Sequence, residues 1–216
     1  MSSETINVSG VKHLDVTVGG RANGTQTLPD NVTVNLAKNS EWIGNFSQSG
    51  TDTLTVTGSG QFDNTGVSYA SGNTTIGVNV IGTGTINENQ AHSSGKLEFL
   101  HSVSAGQTVT DTGYAIYGGE HGVVQVDSPL NYHATTELGY GALILEGLKA
   151  TSYSYHNDML TLFNGRTAID TLKVVQQSFA DGSPVDFGVS QVGGSVVISA
   201  DGGQSSIGGK LLAMHG

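Results

Sequence analysis

Asn31-Val32-Thr33-Val34-Asn35-Leu36 and, further on, Thr53-Leu54-Thr55-Val56-Thr57 decide the fold class of this chain. In both stretches apolar and polar residues alternate strictly, so Val32, Val34 and Leu36 share one face and Asn31, Thr33 and Asn35 the other. That is the pattern of a strand with one side buried. It recurs at Ile76-Gly77-Val78-Asn79-Val80 and Lys96-Leu97-Glu98-Phe99-Leu100, and continues through Val124, Val126, Leu143, Leu145, Leu160 and Leu162. Turn signals separate the segments: Ser49-Gly50, Ser71-Gly72-Asn73, Ser94-Gly95, Gly118-Gly119 and Asn164-Gly165. No segment keeps apolar spacings of three and four over several turns, so no long helix is expected. Short helical turns are expected at most near Ser128-Pro129 and after Val174.

The spacing of these segments carries more information than any one of them. With Val32, Leu54, Ile76, Leu97, Val123, Leu143 and Leu160 as anchors, the intervals are 22, 22, 21, 26, 20 and 17 residues. A period near 22 predicts an all-β, parallel β-solenoid in which each rung contributes two or three short strands. The alternative is a β-sandwich, whose turns come every 8–12 residues or so and also occur within these intervals. Three regions follow. Residues 1–110 are regular Thr/Val/Asn/Gly-rich rungs, and residues 111–175 continue the solenoid with more tyrosine. Residues 176–216 hold C-terminal strands and a candidate secretion signal or assembly segment.

Composition agrees. The 216 residues include 32 glycines, 3 prolines and no cysteine, and only 12% are charged. Glycine without proline, in a chain rich in Val and Thr, reads as short strands joined by tight turns. The net charge of −10 is shared by both halves and leaves no basic patch for nucleic acid or anionic membrane. No apolar run is long enough to span a membrane as a helix. The opening Met1-Ser2-Ser3-Glu4 does not read as a signal peptide. Without cysteine there is neither a disulfide framework nor a thiolate metal site.

Gly82-Thr83-Gly84-Thr85-Ile86, Gly95-Lys96-Leu97-Glu98-Phe99 and Val103-Ser104-Ala105-Gly106-Gln107-Thr108-Val109-Thr110 form a recognisable pattern. So do Gly122-Val123-Val124-Gln125-Val126-Asp127-Ser128-Pro129, Ala150-Thr151-Ser152-Tyr153-Ser154-Tyr155 and Leu160-Thr161-Leu162. Over residues 76–175 the chain resembles modules of the β-strand-repeat surface proteins of Gram-negative bacteria, many exported by type I secretion. The resemblance implies a β-solenoid with an extracellular or cell-surface, structural or adhesive role. It also implies export without an N-terminal signal peptide. Members of that family string many modules together; a single array points instead to a subunit of an assembly.

No catalytic, cofactor or metal site is expected. The string Gly118-Gly119-Glu120-His121-Gly122 lacks the aspartate of a calcium-binding glycine-rich repeat, and Asp201-Gly202-Gly203 stands alone. His13, His92, His101, His121, His133, His156 and His215 show no metal-binding spacing. Asp127, Glu137, Glu146 and Asp170 are the acids that a polysaccharide-cleaving solenoid would have to bring together. Asn-x-Ser/Thr strings at Asn7, Asn23, Asn31, Asn45 and Asn73 are what this composition produces by chance. Tyr114, Tyr117, Tyr132, Tyr140, Tyr153 and Tyr155 form the candidate binding surface, for sugar or for a protein.

The functional expectation is a secreted, non-enzymatic structural protein that self-associates end to end into a filament, matrix or surface layer. Neither Ser2 to Val8 nor Ser206 to His215 carries a charged or helical cap, and unpaired strand edges invite another copy. The alternative is a carbohydrate-binding or adhesive module, or a weak polysaccharide-acting enzyme. The expected partners are therefore identical chains, with polysaccharide second.

Overall fold

The computed structural model describes residues 2–19, 21–22, 26–27, 29–88, 95–111, 122–139, 141–177, 187–200, 210–211 and 213–214. The chain opens with β1 (Ser3–Val8), β2 (Val11–His13) and β3 (Val16–Val18). A short hairpin follows, β4 (Arg21–Ala22) with β5 (Gln26–Thr27). Then the trio returns as β6 (Asn31–Leu36), β7 (Glu41–Gly44) and β8 (Phe46–Gln48). It returns again as β9 (Thr53–Gly58), β10 (Gln61–Asn64) and β11 (Val67–Ala70), and as β12 (Asn73–Ile76), β13 (Asn79–Ile81) and β14 (Thr85–Glu88). Beyond that the middle strand shrinks to one bridging residue. Val103 bridges between β15 (Lys96–Phe99) and β16 (Thr108–Asp111), and Tyr132 between β17 (Val123–Val126) and β18 (Thr135–Leu138).

Corresponding strands of successive trios pair in parallel, so the fold is all-β with three parallel stacks. The first runs β1-β6-β9-β12-β15-β17 and then β19 (Ala142–Leu145). The second runs β2-β7-β10-β13 and is carried on by the bridges Val80–Val103–Tyr132. The third runs β3-β8-β11-β14-β16-β18. A sandwich would be built from antiparallel hairpins instead. Measured along the first sheet, one circuit of the chain takes between 19 residues (Val123 to Ala142) and 28 (Ser3 to Asn31). The longest circuit is the one that carries the β4–β5 hairpin.

The stacking fixes which side chains meet. Val32, Leu54, Leu97 and Leu143 occupy one inward column of the first sheet, as their spacing predicts. Two other anchors are displaced. Thr74, not Ile76, faces Leu54 and Leu97, while Ile76 lies two residues along, between Val56 and Phe99. Val124 is buried in the column and Val123 turns to the outer face. Hydrophobicity selects the most apolar residue of a segment, whereas strand pairing selects the register, and one residue of slip reverses every side chain. Thr74 is tolerated inside because its hydroxyl donates to Gln48 Oε1, and Gln48 Nε2 in turn donates to the Asn73 carbonyl at 3.1 Å.

The second stack holds the largest side chains. Trp42 stacks on Phe62 at 4.3 Å between ring centroids, Phe46 leans on Phe62 at 6.1 Å, and the Trp42 indole donates to the Leu14 carbonyl at 2.7 Å. Beside them lies a buried polar chain spanning three circuits. Asn64 donates to Gln107 Oε1 at 2.8 Å, Ser68 donates to Asn64 Oδ1 at 2.9 Å and accepts from the Phe46 amide, and Gln107 donates to the Asn64 and Ile81 carbonyls. Asn64 reaches Gln107 across the intervening circuit only because Gly84 stands there.

The parallel pattern ends at β19. The first sheet is extended by β24 (Ser195–Ala200), β23 (Phe187–Val192) and β25 (Lys210–Leu211), each antiparallel to its neighbour. In the third sheet β22 (Thr167–Gln176) still runs parallel to β18. Beyond it β21 (Met159–Asn164) and β20 (Ser152–His156) are antiparallel, and β26 (Ala213–Met214) pairs in parallel with β20. Leu160 therefore sits in the third sheet, not in the anchor column. The helical content of the described residues is one 3-10 turn, Pro129–Asn131, at the place its proline suggests. After Val174 the strand simply continues to Gln176.

A methyl group on Gly84 would lie 2.5 Å from both Asn64 Nδ2 and the Gly66 carbonyl oxygen. Gly84→Ala is expected to cost about 1–3 kcal/mol, the usual range for overpacking, read as a lower urea midpoint. An unchanged midpoint would show that the polar chain does not depend on that space.

Candidate functional surfaces

Strand parity decides the fate of the tyrosines. Tyr132 follows Val80 and Val103 in an inward column and is 1% exposed. Its ring tilts against Phe99 at 6.0 Å, its hydroxyl lies 2.9 Å from Thr136 Oγ1, and burial pushes its pKa far above the ordinary phenol range. Tyr153 is 4% exposed and its pKa is likewise raised by burial. Tyr155 is half-buried. Its hydroxyl sits 2.9 Å from the Val174 carbonyl and 3.2 Å from Asp158 Oδ1 and donates toward them, and burial first, then Asp158, raise its pKa to about 12. Tyr132 and Tyr153 thus serve the core and do not join a common surface; Tyr114, Tyr117 and Tyr140 lie outside the described residues. Tyr69, which the candidate set omits, stands 42% exposed on the outer face of the third sheet.

The four acids do not come together as a set: Asp127 and Glu146 follow the paired Val126 and Leu145 on neighbouring strands of the first sheet, while Glu137 and Asp170 lie on the third. Asp127 accepts from Gln125 Nε2 at 2.9 Å beyond β17, and Glu137 accepts from Thr110 Oγ1 at 3.1 Å on the third sheet. Glu146 accepts from Ser195 Oγ at 2.6 Å in the turn after β19. Asp170 lies on β22, where its Oδ1 accepts from the Thr171 amide at 2.8 Å and its Oδ2 is buried without a hydrogen-bond partner among the described residues. Burial raises the Asp170 pKa, against smaller lowering effects from the Thr171 amide and His133.

Two acids that sequence reading passed over are the deeply buried ones. Glu88 and Asp111 are cross-strand partners on β14 and β16, both 0% exposed. Gly122 and Gly141 leave room for them: a Cβ there would come within 1.9 Å of Glu88 Oε2 and 1.8 Å of Asp111 Oδ2. The signal was present, since each acid stands two residues after an inward Ile86 or Val109 and so shares its face. Among the described residues no three His, Cys, Asp or Glu side chains are placed to hold a metal ion together. His13, His101, His133 and His156 are exposed; His92, His121 and His215 lie outside the described residues, as do Gly118 to His121 and Asp201-Gly202-Gly203.

What the fold offers is extended surface. At the N-terminal end β1, β2 and β3 each stand last in their sheet among the described strands. Glu4 and Ile6 are in register with buried Val32 and Val34, and Lys12 with buried Trp42, so all three occupy inward positions of a circuit beyond which no described strand lies. Glu4 and Lys12 are accordingly exposed, and Ile6 is half-buried. No helix of the described residues is long and apolar enough to cross a membrane. The chain matches no protein-family model, no curated protein and no solved structure.

Because the Asp170 pKa is higher in the folded chain than in the unfolded one, ionising Asp170 opposes folding. The penalty is absent below the ordinary value of 3.8, where both states are protonated, and complete above the raised folded value. Asp170→Asn is expected to raise the thermal midpoint at pH 7, with the gain shrinking toward pH 3.8. A gain that persists below that pH would assign the effect to something other than charge.

Proposed function

We propose that this chain is a parallel β-solenoid and a non-enzymatic structural protein of the extracellular space or cell surface, self-associating end to end into a filament, matrix or surface layer. The solenoid reading rests on the repeated order of the three stacks and on the parallel register between successive circuits. The observation that carries self-association is the N-terminal face, where β1, β2 and β3 each stand last in their sheet among the described strands. Unpaired strand edges are templates for another chain, and a contact between unlike ends propagates instead of closing.

The face is selective. Inward-pointing charges discourage indiscriminate pairing of a sheet edge, and Glu4 and Lys12 occupy such positions. A partner end must place a base near Glu4 and an acid near Lys12, or leave both charges desolvated and unpaired at a cost of several kcal/mol. The sugar-binding alternative loses support from the burial of Tyr132 and Tyr153, which removes two of its aromatic platforms. Placement at the cell surface or outside the cell belongs to the same reading and rests on the resemblance of residues 76–175.

Light scattering and sedimentation across a dilution series test the assembly. Growth beyond a dimer as concentration rises is expected, and a strict monomer at high concentration sinks the reading. Glu4→Leu combined with Lys12→Leu removes the charged filter and is expected to move assembly to lower concentration. If the double variant associates less than the parent, the two charges are themselves the glue.

A further inference from the structure

The outer face of the first sheet carries an ordered array that end-to-end association does not use. Thr5, Thr33, Thr55 and Thr75 occupy the same outward position in β1, β6, β9 and β12, one above the other across four successive strands. Two residues toward the N-terminus of each strand a second column holds Ser3, Asn31, Thr53 and Asn73. On the other side a third column runs Asn7, Asn35, Thr57. Pairing between β1, β6 and β9 is unbroken over six residues, so the columns stay in step.

The spacing of such an array is set by the backbone. Neighbouring strands lie about 4.8 Å apart and alternate residues of one strand about 6.6–6.8 Å apart. Oxygen and amide groups therefore repeat in two dimensions on a near-rectangular grid. Threonine is stiff at χ1 because it is branched at Cβ, and Asn35 Nδ2 donates to Asn7 Oδ1 at 3.1 Å, tying neighbouring strands together on the surface as well. The columns carry no charge until β15, where Lys96 and Glu98 pair at 2.7 Å and the array stops. Asparagine is disfavoured in strands, so its recurrence at these outward positions asks for a reason other than strand formation.

We propose that this face binds ice. A ligand matched to it must itself be periodic in two directions at these spacings, uncharged, and held by many weak hydrogen bonds. The oxygen lattice of ice on its prism faces is likewise uncharged and periodic in two directions, with repeats within about a tenth of these strand spacings. Each threonine adds a methyl beside its hydroxyl, so water can be caged against the methyl while it bonds to the oxygen. A polysaccharide would call for aromatic platforms, and the three columns contain none; a mineral or anionic surface would call for charge.

The full chain is tested by partition into a slowly growing ice front, with ice-crystal shape recorded in parallel. Thr33→Lys with Thr55→Lys breaks the central column, and Ser47→Lys, on the outer face of the third sheet, is the control; circular dichroism and the urea midpoint verify that each variant folds. Enrichment of the parent chain and of Ser47→Lys in ice, faceting of the crystals, and loss of most of both in the double variant are expected. Exclusion of the parent from ice, or enrichment unaffected by the double variant, overturns the proposal. Exclusion from ice together with retention on cellulose or chitin, lost in the double variant, overturns it in favour of a sugar surface. The dilution series reads end-to-end association separately, because Thr33 and Thr55 lie on the flank of the stack and not at its N-terminal end.

Discussion

The stacked part of this molecule, from β1 to β19, depends on parallel, in-register hydrogen bonding between successive circuits of the chain. Parallel pairing puts each residue directly over its counterpart one circuit earlier, and side-chain direction alternates with period two. Each inward column must then be apolar throughout or satisfy its own polar groups. Val34, Val56, Ile76, Phe99, Val126 and Leu145 take the first course. The Asn64–Ser68–Gln107 chain takes the second, and it lets the interior exchange apolar contact for hydrogen bonds without leaving a buried donor unmade.

The two ends meet the same constraint differently. Toward the C-terminus the chain stops stacking in parallel and folds back, so β24 and β23 extend the first sheet while β21 and β20 extend the third. Gln191 fastens this region: its Nε2 donates to the Leu148 carbonyl at 3.1 Å and the Ser195 carbonyl at 3.0 Å, and its Oε1 accepts from the Ala150 amide at 2.9 Å. Ser195, tied to Glu146 at 2.6 Å, adds a second anchor. At the N-terminus no described strand adds to β1, β2 and β3, and the inward positions hold Glu4 and Lys12. Among the described residues the two ends are therefore chemically unlike.

How far the sequence was readable follows from what alternation can and cannot encode. The strands over 31–36 and 53–58 and their separation of 22 residues were legible, because both faces of each segment are unambiguous. Ile76 and Val123 misled as anchors because apolar character is a weak guide where two hydrophobic residues stand side by side or two apart. Leu160 misled because alternation reads the same in a parallel and an antiparallel strand. The tyrosines were read by residue type when parity was the better guide. Tyr132 stands two before Ala134 and four before Thr136, all buried, and the same rule would have placed Glu88 and Asp111 inside.

The outer faces obey the register as strictly as the core, yet nothing inside dictates their chemistry. On the first sheet two solutions stand side by side. Around β15 and β17 the polar side chains bond among themselves: Lys96 reaches Glu98 and, at 3.2 Å, Gln125, while Gln125 donates to Glu98 at 3.1 Å and Asp127 at 2.9 Å. Thr75, last of its column, donates to Glu98 at 3.1 Å and so marks the border of that network. Groups bonded to one another have little capacity left for a ligand. On β1, β6 and β9 the short side chains make one such bond, from Asn35 to Asn7 at 3.1 Å, while the threonine column beside it turns its hydroxyls outward on a grid that the backbone spaces. The core needs only the inward half of each strand; the regularity of the outward half is what calls for a periodic ligand.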